Sequence, residues 1–537
     1  MEKVDIRLDK LVLRNYKGFY TGDDENGVEI TFDENLTVFI GDNGSGKSAV
    51  LDAVALFLGK LRMEITGGEI ANRFQFPPIT PSNIKFNKDI NNRIKEKELE
   101  EELDEDANSR IKERDKNARC ELDGTFQLSP NTIIDKIYEE SLNDDEDYRE
   151  EKREPKIGFS IGMKKYESPN KIKITEWQHH SYKEFKDDYD SDERTLQLFI
   201  ELMKKEEVDN LPILVFYGAN SINTNLKKKE NTLSSSMFDA YENALEAERF
   251  DFNDFFAWYE DQQKKDLMRK KIGVSRKQAN NLVKIGFVET AVSAVLDDDK
   301  VNFKDLFIDW FSEPNDIKIT KEDTVQKTTS LEELSDEEII PLSFSQLSSG
   351  ERTLIALVAD LTRRLCLANP NAKSPLDGNG IVLIDEIDVH LHPNWQRKVM
   401  PKLREVFPNV QFIITAHSPY VISASEPKNI RIITKDEKTE QNIIINAGEK
   451  DEDGKIRKTK GLDPNRILKE IMGTPLRDFD TQERIKELEN LINIENIDKA
   501  KTQELISQLT KDLGLKDSYI MRLNHRIFKL KRRKVTI

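Results

Sequence analysis

The chain has 537 residues, of which 37% are hydrophobic and 34% are charged, and its formal net charge is −17. This balance predicts a globular protein of two to four domains with a heavily solvated surface, and it argues against a protein coated by nucleic acid while leaving room for a local basic groove. No apolar run approaches membrane-spanning length, the first residues do not form a signal peptide, and only Cys120 and Cys366 are present, so we expect a cytoplasmic protein without a membrane partner.

The chain opens with three predicted strands. IRLDKLVLRNYKGFY, residues 6–20, alternates apolar and polar residues and predicts an edge strand, and VEITFDENLTVFI, residues 28–40, supplies the next strand and a buried one. We therefore expect a mixed sheet that begins antiparallel and then turns parallel.

A glycine-rich loop follows the buried strand. Its eight residues fit the pattern G-x-x-x-x-G-K-[ST] and lead into a helix with apolar positions at Val50, Val54 and Leu58. Backbone N–H groups of such a loop cradle phosphate oxygens, and the helix start adds further donors. The alternative is a strand–helix turn without a ligand, but strand, loop and helix agree on a phosphate site. The predicted ATP contacts are Gly41, Asn43, Gly44, Ser45, Gly46, Lys47 and Ser48, with Ser48 also predicted to hold Mg²⁺.

Two later strands end in polar side chains. Ile381 to Ile384 run into Asp385 and Glu386, and a strand at residues 412–414 delivers His417. An apolar run that ends in acids is typical of a strand buried on both faces whose carboxyl end meets the ligand. Asp385 is the predicted Mg²⁺ ligand, and Glu386 and His417 are the predicted catalytic groups, Glu386 polarising water and His417 contacting the γ-phosphate.

LSSGERTLIALVADL, residues 347–361, predicts a second anion site. Ser348, Ser349 and Gly350 are small donors at the start of an amphipathic helix whose apolar face carries Leu354, Leu357, Val358 and Leu361. The spacing of roughly 300 residues between the two predicted phosphate sites is too long for one ordinary nucleotide-binding domain.

The segment between these two sites predicts an α+β insertion. ARCELDGTFQL and KIGFSIGMKKYE predict strands, residues 188–207 and 239–270 predict helices, and residues 95–116 predict a charged helix or mobile segment. The segment contains an aromatic patch, which we expect to pack in the core or between helices rather than to bind a partner. The patch comprises Tyr241, Leu245, Phe252, Phe255, Phe256 and Trp258. Residues 313–338 predict a hairpin or loop.

The order of these motifs resembles the ABC ATPase head of the SMC, RecF and overcoming-lysogenization-defect branch. Residues 41–48 correspond to Walker A, and Leu347 to Glu351 to the signature, which departs from L-S-G-G-Q at Ser349 and Glu351. Asp385 and Glu386 correspond to Walker B with its catalytic glutamate. Asp388 falls on the D-loop, and His417 is the switch histidine. The resemblance thus implies ATP contacts from Ser348, Ser349, Gly350, Glu351 and Asp388.

Other positions are less clearly marked. Gln75 and Asn220 are alternative Q-loop residues, with Asn220 favoured because it follows a strand, and Asn15 and Lys17 are additional candidate nucleotide contacts. His390 and His392 lack the ligand cluster of a metal site, so a structural or interface role is favoured.

The C-terminal region predicts a strand pair and then several helices. Stripes at Leu488, Leu491 and Ile492 and at Leu505, Ile506 and Leu509 have helical spacing. This arrangement resembles PtuA-type ATPases of Septu and retron antiphage modules, whereas the overcoming-lysogenization-defect nucleases carry a TOPRIM domain whose acidic strand ends are not found after residue 435. The basic run Lys529 to Lys534 either contacts nucleic acid or an acidic partner or, more simply, offsets the helix dipole.

The expected fold class is therefore α/β: an ABC-ATPase head with a mixed sheet, a large α+β insertion between Walker A and signature, and a helical C-terminal region. The expected segments are a head part at 1–61, the insertion at 62–340, a second head part at 341–435, and strands and assembly helices at 436–537. The resemblance implies Mg²⁺ with ATP, a homodimer closed around ATP with higher homo-oligomers, and no intrinsic nuclease. It implies as partners an HNH endonuclease of PtuB type and, in retrons, a reverse transcriptase with its RNA and DNA. The alternative is a RecF- or SMC-like repair ATPase that binds DNA directly.

Overall fold

The computed structural model describes most of the head and the C-terminal helices. The described residues are 5–14, 16–19, 27–66, 119–129, 156–164, 211–219, 236–246, 252–273, 284–297, 301–312, 316–323, 341–436, 441–450, 454–493 and 499–535. The predicted helix at 188–207, the charged segment at 95–116 and the candidates Asn15, Gln75 and Asn220 lie outside them. The chain divides into two compact units, Met1–Leu462 and Asp463–Ile537.

The strands in chain order are β1 (Asp5–Arg14), β2 (Val28–Thr31), β3 (Leu36–Gly41), β4 (Arg119–Ser129), β5 (Lys156–Lys164), β6 (Ile213–Tyr217), β7 (Val301–Asp309), β8 (Asp316–Asp323), β9 (Leu342–Ser343), β10 (Gly380–Ile384), β11 (Val410–Thr415), β12 (Ile430–Lys435) and β13 (Asn442–Asn446). The helices are α1 (Lys47–Thr66), α2 (Phe252–Lys271), α3 (Ile285–Leu296), α4 (Ser349–Ala368), α5 (Pro393–Val406), α6 (Pro419–Ser423), α7 (Phe479–Asn493), α8 (Lys499–Leu513) and α9 (Ser518–Val535).

The central sheet has six strands in the order β13-β12-β3-β11-β10-β6. All neighbours pair in parallel except β13, which is antiparallel to β12. Every residue of β6, β10 and β11 is buried, as expected for parallel strands covered on both faces. Because β11 lies between β3 and β10, the carboxyl ends of all three strands meet at one edge of the sheet.

A second sheet corrects the prediction for the N-terminal strands. Its order is β2-β1-β4-β5 and its pairs are antiparallel, so β1 is an interior strand and not an edge, and it belongs to a different sheet from β3. The insertion strands β4 and β5 are where the sequence predicts strands, but local patterning gave no sign that β4 pairs with β1.

Gln411 joins the two sheets. Its buried side chain accepts a hydrogen bond from Leu8 N–H (2.8 Å) and donates to the carbonyls of Leu8 and Asp33 (2.9 Å each). The β1–β4 register shifts between Leu8 and Lys10, and Gln411 thereby satisfies backbone groups at this irregular position.

Other described parts of the insertion form helices and a hairpin. The segment 239–270, predicted as one helix, is a 3₁₀ turn (Met237–Tyr241) and the separate helix α2. Five members of the aromatic patch are buried and Phe256 is half-buried, so the core interpretation holds. Strands β7 and β8 form the hairpin within residues 301–323, and β9 extends it.

Helix α4 is buried all round between residues 354 and 366, whereas the sequence predicts an amphipathic helix. Its buried charges explain the difference. Asp360 accepts hydrogen bonds from Arg363 (2.7 and 2.9 Å), Arg364 (2.7 Å) and the hydroxyl of Tyr217 (2.8 Å), and Arg364 also donates to the carbonyls of Ala240 and Glu242. Burial alone raises the pKa of Asp360, but the two guanidinium groups outweigh it and hold this pKa below its usual value.

The C-terminal unit has its own core. Helices α7, α8 and α9 surround Leu488, Leu505, Leu509, Ile520 and Leu523. Ion pairs from Arg477 to Asp517 (2.7 Å) and from Arg484 to Asp512 (2.6 Å) link segments distant in the chain. This confirms the predicted helical C-terminal region. Across the described part of the chain, every helix is too short or too polar to cross a bilayer.

Candidate nucleotide site

The glycine loop runs from the end of β3 into α1. Ser45 N–H bonds to the carbonyl of Asp42 (3.1 Å), and Gly44, with φ of 78°, has open space where a Cβ would lie. Asn43, Gly44 and Ser48 are exposed, whereas the hydroxyl of Ser45 is buried without a partner. A bare loop with exposed donors and one orphaned hydroxyl is shaped to surround an oxyanion.

The close fit of Gly41 and Gly46 fixes the loop on the sheet. A Cβ on Gly41 (φ 155°) would lie 2.4 Å from the carbonyl oxygen of Ile433 on β12, and one on Gly46 (φ 105°) 3.1 Å from the ring of Phe19. A side chain at either position would collide with neighbouring parts of the same protein, in addition to covering the phosphate loop, so glycine is required at both.

Lys47 is buried and donates to the carbonyls of Gly41 and Asp42 (2.9 Å each). Burial lowers the pKa of its ammonium, and the negative charges of Asp385, Glu386, Asp42 and Asp388 act in the opposite direction. The fold thus brings the loop lysine into the field of the two predicted carboxylates, more than 330 residues away in the chain.

Thr415, the last residue of β11, organises those carboxylates. Its hydroxyl donates to Asp385 Oδ1 (2.5 Å) and accepts from Glu386 N–H (2.7 Å). Glu386 has φ of 53°, a left-handed conformation that is uncommon for this residue type. The hydrogen bond from its N–H helps to hold it there. Thr415 is not among the predicted site residues, since a threonine at a strand end carries no motif.

The second predicted anion site is an exposed helix start. Ser348 is the N-cap of α4 and accepts from Glu351 N–H (3.3 Å), and Ser348 and Ser349 are exposed. Gly350 is buried, and a Cβ there would lie 2.5 Å from the carbonyl oxygen of His390. The two serines therefore face solvent, while Gly350 locks the helix start against the segment after β10.

Two of the predicted ATP contacts, Glu351 and Asp388, form hydrogen bonds or ion pairs with other residues of this chain. The carboxylate of Glu351 accepts from Ser348 N–H (2.8 Å) and pairs with Lys321 (2.7 Å), which outweighs burial and lowers its pKa. Asp388 is buried, which raises its pKa, and its carboxylate accepts from His417 N–H (3.0 Å). The predicted nucleotide contacts of Glu351 and Asp388 stay predictions, and in this structure Asp388 also holds the backbone of His417.

The histidines have separate surroundings. His417 follows β11 and is half-buried. His392 caps α5, its Nδ1 accepting from Asn394 N–H (3.3 Å). His390 is exposed with φ of 64°. Within the described residues no group of three or more His, Cys, Asp or Glu side chains is arranged to hold a metal ion. The structural or interface role of His390 and His392 stays a prediction.

A cavity of about 220 Å³ lies between the start of α4 and the residues Asp385 and Glu386. Its lining comes from β6 and the residues after it, from the first turns of α4 and from the segment after β10: among them are Tyr217, Gly218, Ala219, Ser349, Arg352, Thr353, Asp385, Glu386 and His390. Arg352 and Thr353 line this cavity, and neither is among the predicted site residues. The position of the Q-loop, at Asn220 or at Gln75, stays a prediction.

Lys17 is held near the loop by an ion pair with Asp52 of α1 and lies over the Tyr16 ring. Its φ is 46°. Its predicted nucleotide contact stays a prediction, because this ion pair already occupies the ammonium.

The residues present fit a magnesium–nucleotide complex. Ser48 offers an exposed hydroxyl at the start of α1, and Asp385 offers a half-buried carboxylate oriented by Thr415. Hydroxyl and carboxylate oxygens are the ligands that Mg²⁺ takes in such sites, together with phosphate oxygens. A bound Mg²⁺ would neutralise charge on the phosphates. Lys47 would bind phosphate oxygens, and Glu386 would orient the attacking water.

The parallel sheet, the glycine loop and the paired carboxylates define a P-loop nucleotide-binding protein. The model of the AAA ATPase domain family matches residues 7–422. The chain therefore belongs to the AAA ATPase domain family, with the mixed α/β fold that the sequence predicts.

Curated relatives confirm the predicted kinship with retron and Septu ATPases. The chain is 34% identical over 263 residues to the Retron Ec83 probable ATPase of Escherichia coli, covering 43% of this chain and 48% of that protein, so the match spans about half the length of that relative. It is 27% identical to the Retron Vc95 probable ATPase of Vibrio cholerae, over 80% of this chain and 74% of that protein. It is 37% identical to Septu protein PtuA of Bacillus mycoides over 18% of this chain and 13% of that protein. Among solved structures, the Smc head domain of Pyrococcus furiosus is similar with a TM-score of 0.38 and 14% identity, over 82% of this chain and 96% of that one.

Proposed function

We propose that this protein is the ATP-binding and hydrolysing switch subunit of a cytoplasmic bacterial antiphage complex. The observation that carries the proposal is the convergence of Lys47, Asp385 and Glu386 at one sheet edge, combined with an exposed serine pair at the start of α4. The kinship with proteins named as retron and Septu ATPases supports the defence setting.

In this proposal two copies close around two ATP molecules. Lys47 and Asp385 of one copy hold the nucleotide, and Ser348 and Ser349 of the other cap its γ-phosphate through the helix start. Contacts to the γ-phosphate exist only with ATP, so ATP and not ADP favours assembly. The assembled state controls a partner nuclease of the HNH, PtuB-like kind, or a retron reverse transcriptase with its RNA and DNA. The chain itself does not cut DNA.

The test of the switch is the size of the particle with and without ATP. Glu386→Gln keeps the binding groups and removes the carboxylate that orients water, so ATP should trap a dimer or larger species, visible by light scattering. Adding Ser349→Arg to this variant should leave ATP binding intact and abolish the larger species, since the arginine would block the capping surface. Lys47→Met should abolish binding itself.

If Glu386→Gln binds ATP yet keeps its size at every ATP concentration, the closure around ATP is wrong. The nuclease part is tested separately. An HNH or reverse transcriptase gene beside this one supports it, and cleavage of DNA by the purified chain alone, lost on a substitution outside the ATP motifs, contradicts it.

A further inference from the structure

Two chain segments meet beside the candidate site, and each of them follows one of its strands. The segment after β10 contains Glu386 and ends at α5, and the segment after β11 contains His417 and ends at α6. Asp388 joins the two segments, since its buried carboxylate accepts from His417 N–H (3.0 Å). A second connection between them comes from a side chain of α5.

Gln396, near the start of α5, bonds to both segments through its side-chain amide. Its Nε2 donates to the carbonyls of Asp388 and Leu391 (3.0 Å each), and its Oε1 accepts from the hydroxyl of Ser418 (2.7 Å). The same hydroxyl accepts from Tyr420 N–H (3.0 Å) and so caps the start of α6. The amide nitrogen and the amide oxygen of Gln396 therefore each hold a different segment.

An amide is the chemical group that suits these partners. It donates to carbonyl oxygens and accepts from a hydroxyl at the same time, whereas an ionised carboxylate only accepts and an ammonium only donates. Ser418 is 6% exposed and Asp388 is 7% exposed, so these bonds lie where water has little access. Removing the amide would take partners away from buried polar groups, which costs free energy.

The bonded groups are neighbours in the chain of both predicted catalytic residues. Asp388 comes two residues after Glu386, and Ser418 directly follows His417. A shift of one segment against the other would therefore move His417 relative to Glu386. Thr415 connects the same segments at the strand ends, and Gln396 connects them on the side of α5.

Attachment of α5 does not by itself account for Gln396. The helix has another attachment through Lys402, which donates to the carbonyls of Ala294 (2.8 Å) and Asp297 at the end of α3. Three of its apolar side chains are also buried. The bonds of Gln396 differ from these contacts, because they join the segments that carry Glu386 and His417.

We propose that Gln396 is a positioning residue for ATP hydrolysis, which holds His417 in place against the segment that carries Glu386. The inference rests on the proposed function, since it takes these two residues to act on the γ-phosphate and the attacking water. Gln396 acts through His417 and leaves the glycine loop untouched. Its removal should therefore slow turnover without weakening the binding of ATP.

The test variant is Gln396→Met, which keeps the length of the side chain and removes the amide. The control is Lys402→Met, which removes two bonds to carbonyl oxygens from the same helix but on the side of α3. Both are also made in a His417→Ala background. The measurements on the full-length protein are the ATP turnover rate, the Kd of a fluorescent ATP analogue and the temperature of thermal unfolding.

Turnover by Gln396→Met should fall by about ten- to hundredfold, because a misplacement of about 1 Å can cost about 10²-fold. The Kd of the analogue should stay close to wild type, and Lys402→Met should keep wild-type turnover. In the His417→Ala background, Gln396→Met should change turnover by no more than about threefold, since residues that act as one unit do not give additive losses. A purely structural role would not produce this lack of additivity.

A second pair of variants applies if Gln396→Met does not fold. Ser418→Ala removes the bond to Gln396 Oε1 and should lower turnover, whereas Ser418→Thr keeps a hydroxyl and should restore it. Wild-type turnover in Gln396→Met, equal losses in Gln396→Met and Lys402→Met, or full additivity with His417→Ala would overturn the inference alone. Wild-type turnover in His417→Ala would instead remove the proposed role of His417, and the inference with it.

Discussion

At the scale of single residues, the site depends on residues that position the predicted nucleotide-binding groups. Thr415, Gly350 and Asp388 belong to this group, because each contacts another residue of the predicted site. Their effects on activity should therefore differ from those of Lys47 or Glu386, whose removal acts on the nucleotide directly.

Thr415→Val should lower the ATP turnover rate by about 10- to 100-fold, the usual size of losses when a hydrogen-bond partner of a metal ligand is removed. The methyl group can neither donate to Asp385 nor accept from Glu386 N–H. Steady-state hydrolysis and the Kd of a fluorescent ATP analogue measure the two effects. Thr415→Ser should retain activity. Thr362→Val removes a buried hydroxyl that bonds only within α4 and is the control. Wild-type turnover in Thr415→Val would show that Thr415 does not position the carboxylates.

Gly350→Ala should destabilise the protein by about 1–3 kcal/mol, as overpacking does, although alanine ordinarily favours a helix. The added Cβ would meet the carbonyl oxygen of His390 at 2.5 Å, so the start of α4 must move away from the segment after β10. Thermal unfolding and the ATP-dependent size change both report this. An alanine variant with wild-type stability and assembly would mean that this contact relaxes freely.

At the scale of elements, buried polar groups hold α4 and the strands together. Gln411 connects β11 to β1, and Asp360 connects α4 to Tyr217, whose own carbonyl accepts from Asp385 N–H (2.8 Å). The predicted signature helix is thus tied to the strand beside the carboxylates through a charged network inside the core.

Asp360→Asn should destabilise the first unit by about 3–5 kcal/mol, because it removes the charge of the carboxylate that pairs with two buried guanidinium groups. All four tryptophans lie before residue 463, so tryptophan fluorescence during urea unfolding reports on that unit. Tyr217→Phe, which removes only the hydroxyl, should cost less. A loss no larger than that of Tyr217→Phe would contradict the role of the charge.

The difference in unfolding free energy between the wild type and Asp360→Asn should depend on pH. The pKa of folded Asp360 lies below its ordinary value of 3.8, so its ionised form adds stability above pH 3.8, and this contribution is lost as the pH falls through the folded pKa. The difference in unfolding free energy between wild type and Asp360→Asn should therefore be constant near neutrality and shrink below about pH 3.8. A difference that grows on acidification would reverse the assignment of the ionised form to the folded state.

At the scale of the whole molecule, the division at residue 463 separates an acidic nucleotide-binding unit from a basic helical one. The second unit has its own apolar core and internal ion pairs, the requirements for independent folding.

Residues 463–537 expressed alone should be helical and unfold cooperatively, as followed by circular dichroism. A unit of this size is only marginally stable, so Leu509→Ala, which removes a fully buried side chain, should unfold most of it through a loss of about 2–5 kcal/mol. Leu515→Ala, at a position 71% exposed, should have little effect. A fragment without helical signal would show that the second unit needs the first.

The sequence by itself determined the chemistry of the site and the character of its strands. The glycine loop, the Asp385–Glu386 pair and the capped start of α4 each lie within a few consecutive residues, and local backbone preferences and apolar runs are sufficient to place such groups. The C-terminal helices and the core nature of the aromatic patch also follow from local periodicity.

Only the tertiary structure decided which segments meet. The pairing of β1 with β4, the bond from Gln411 to Leu8, and the contacts of Asp360 with Tyr217 join residues far apart in the chain. Nothing in the local sequence distinguishes these side chains from solvated ones, because their polar groups become partners only when packing removes water from around them. The same holds for Thr415 and Gly350, whose importance arises from what the fold places beside them.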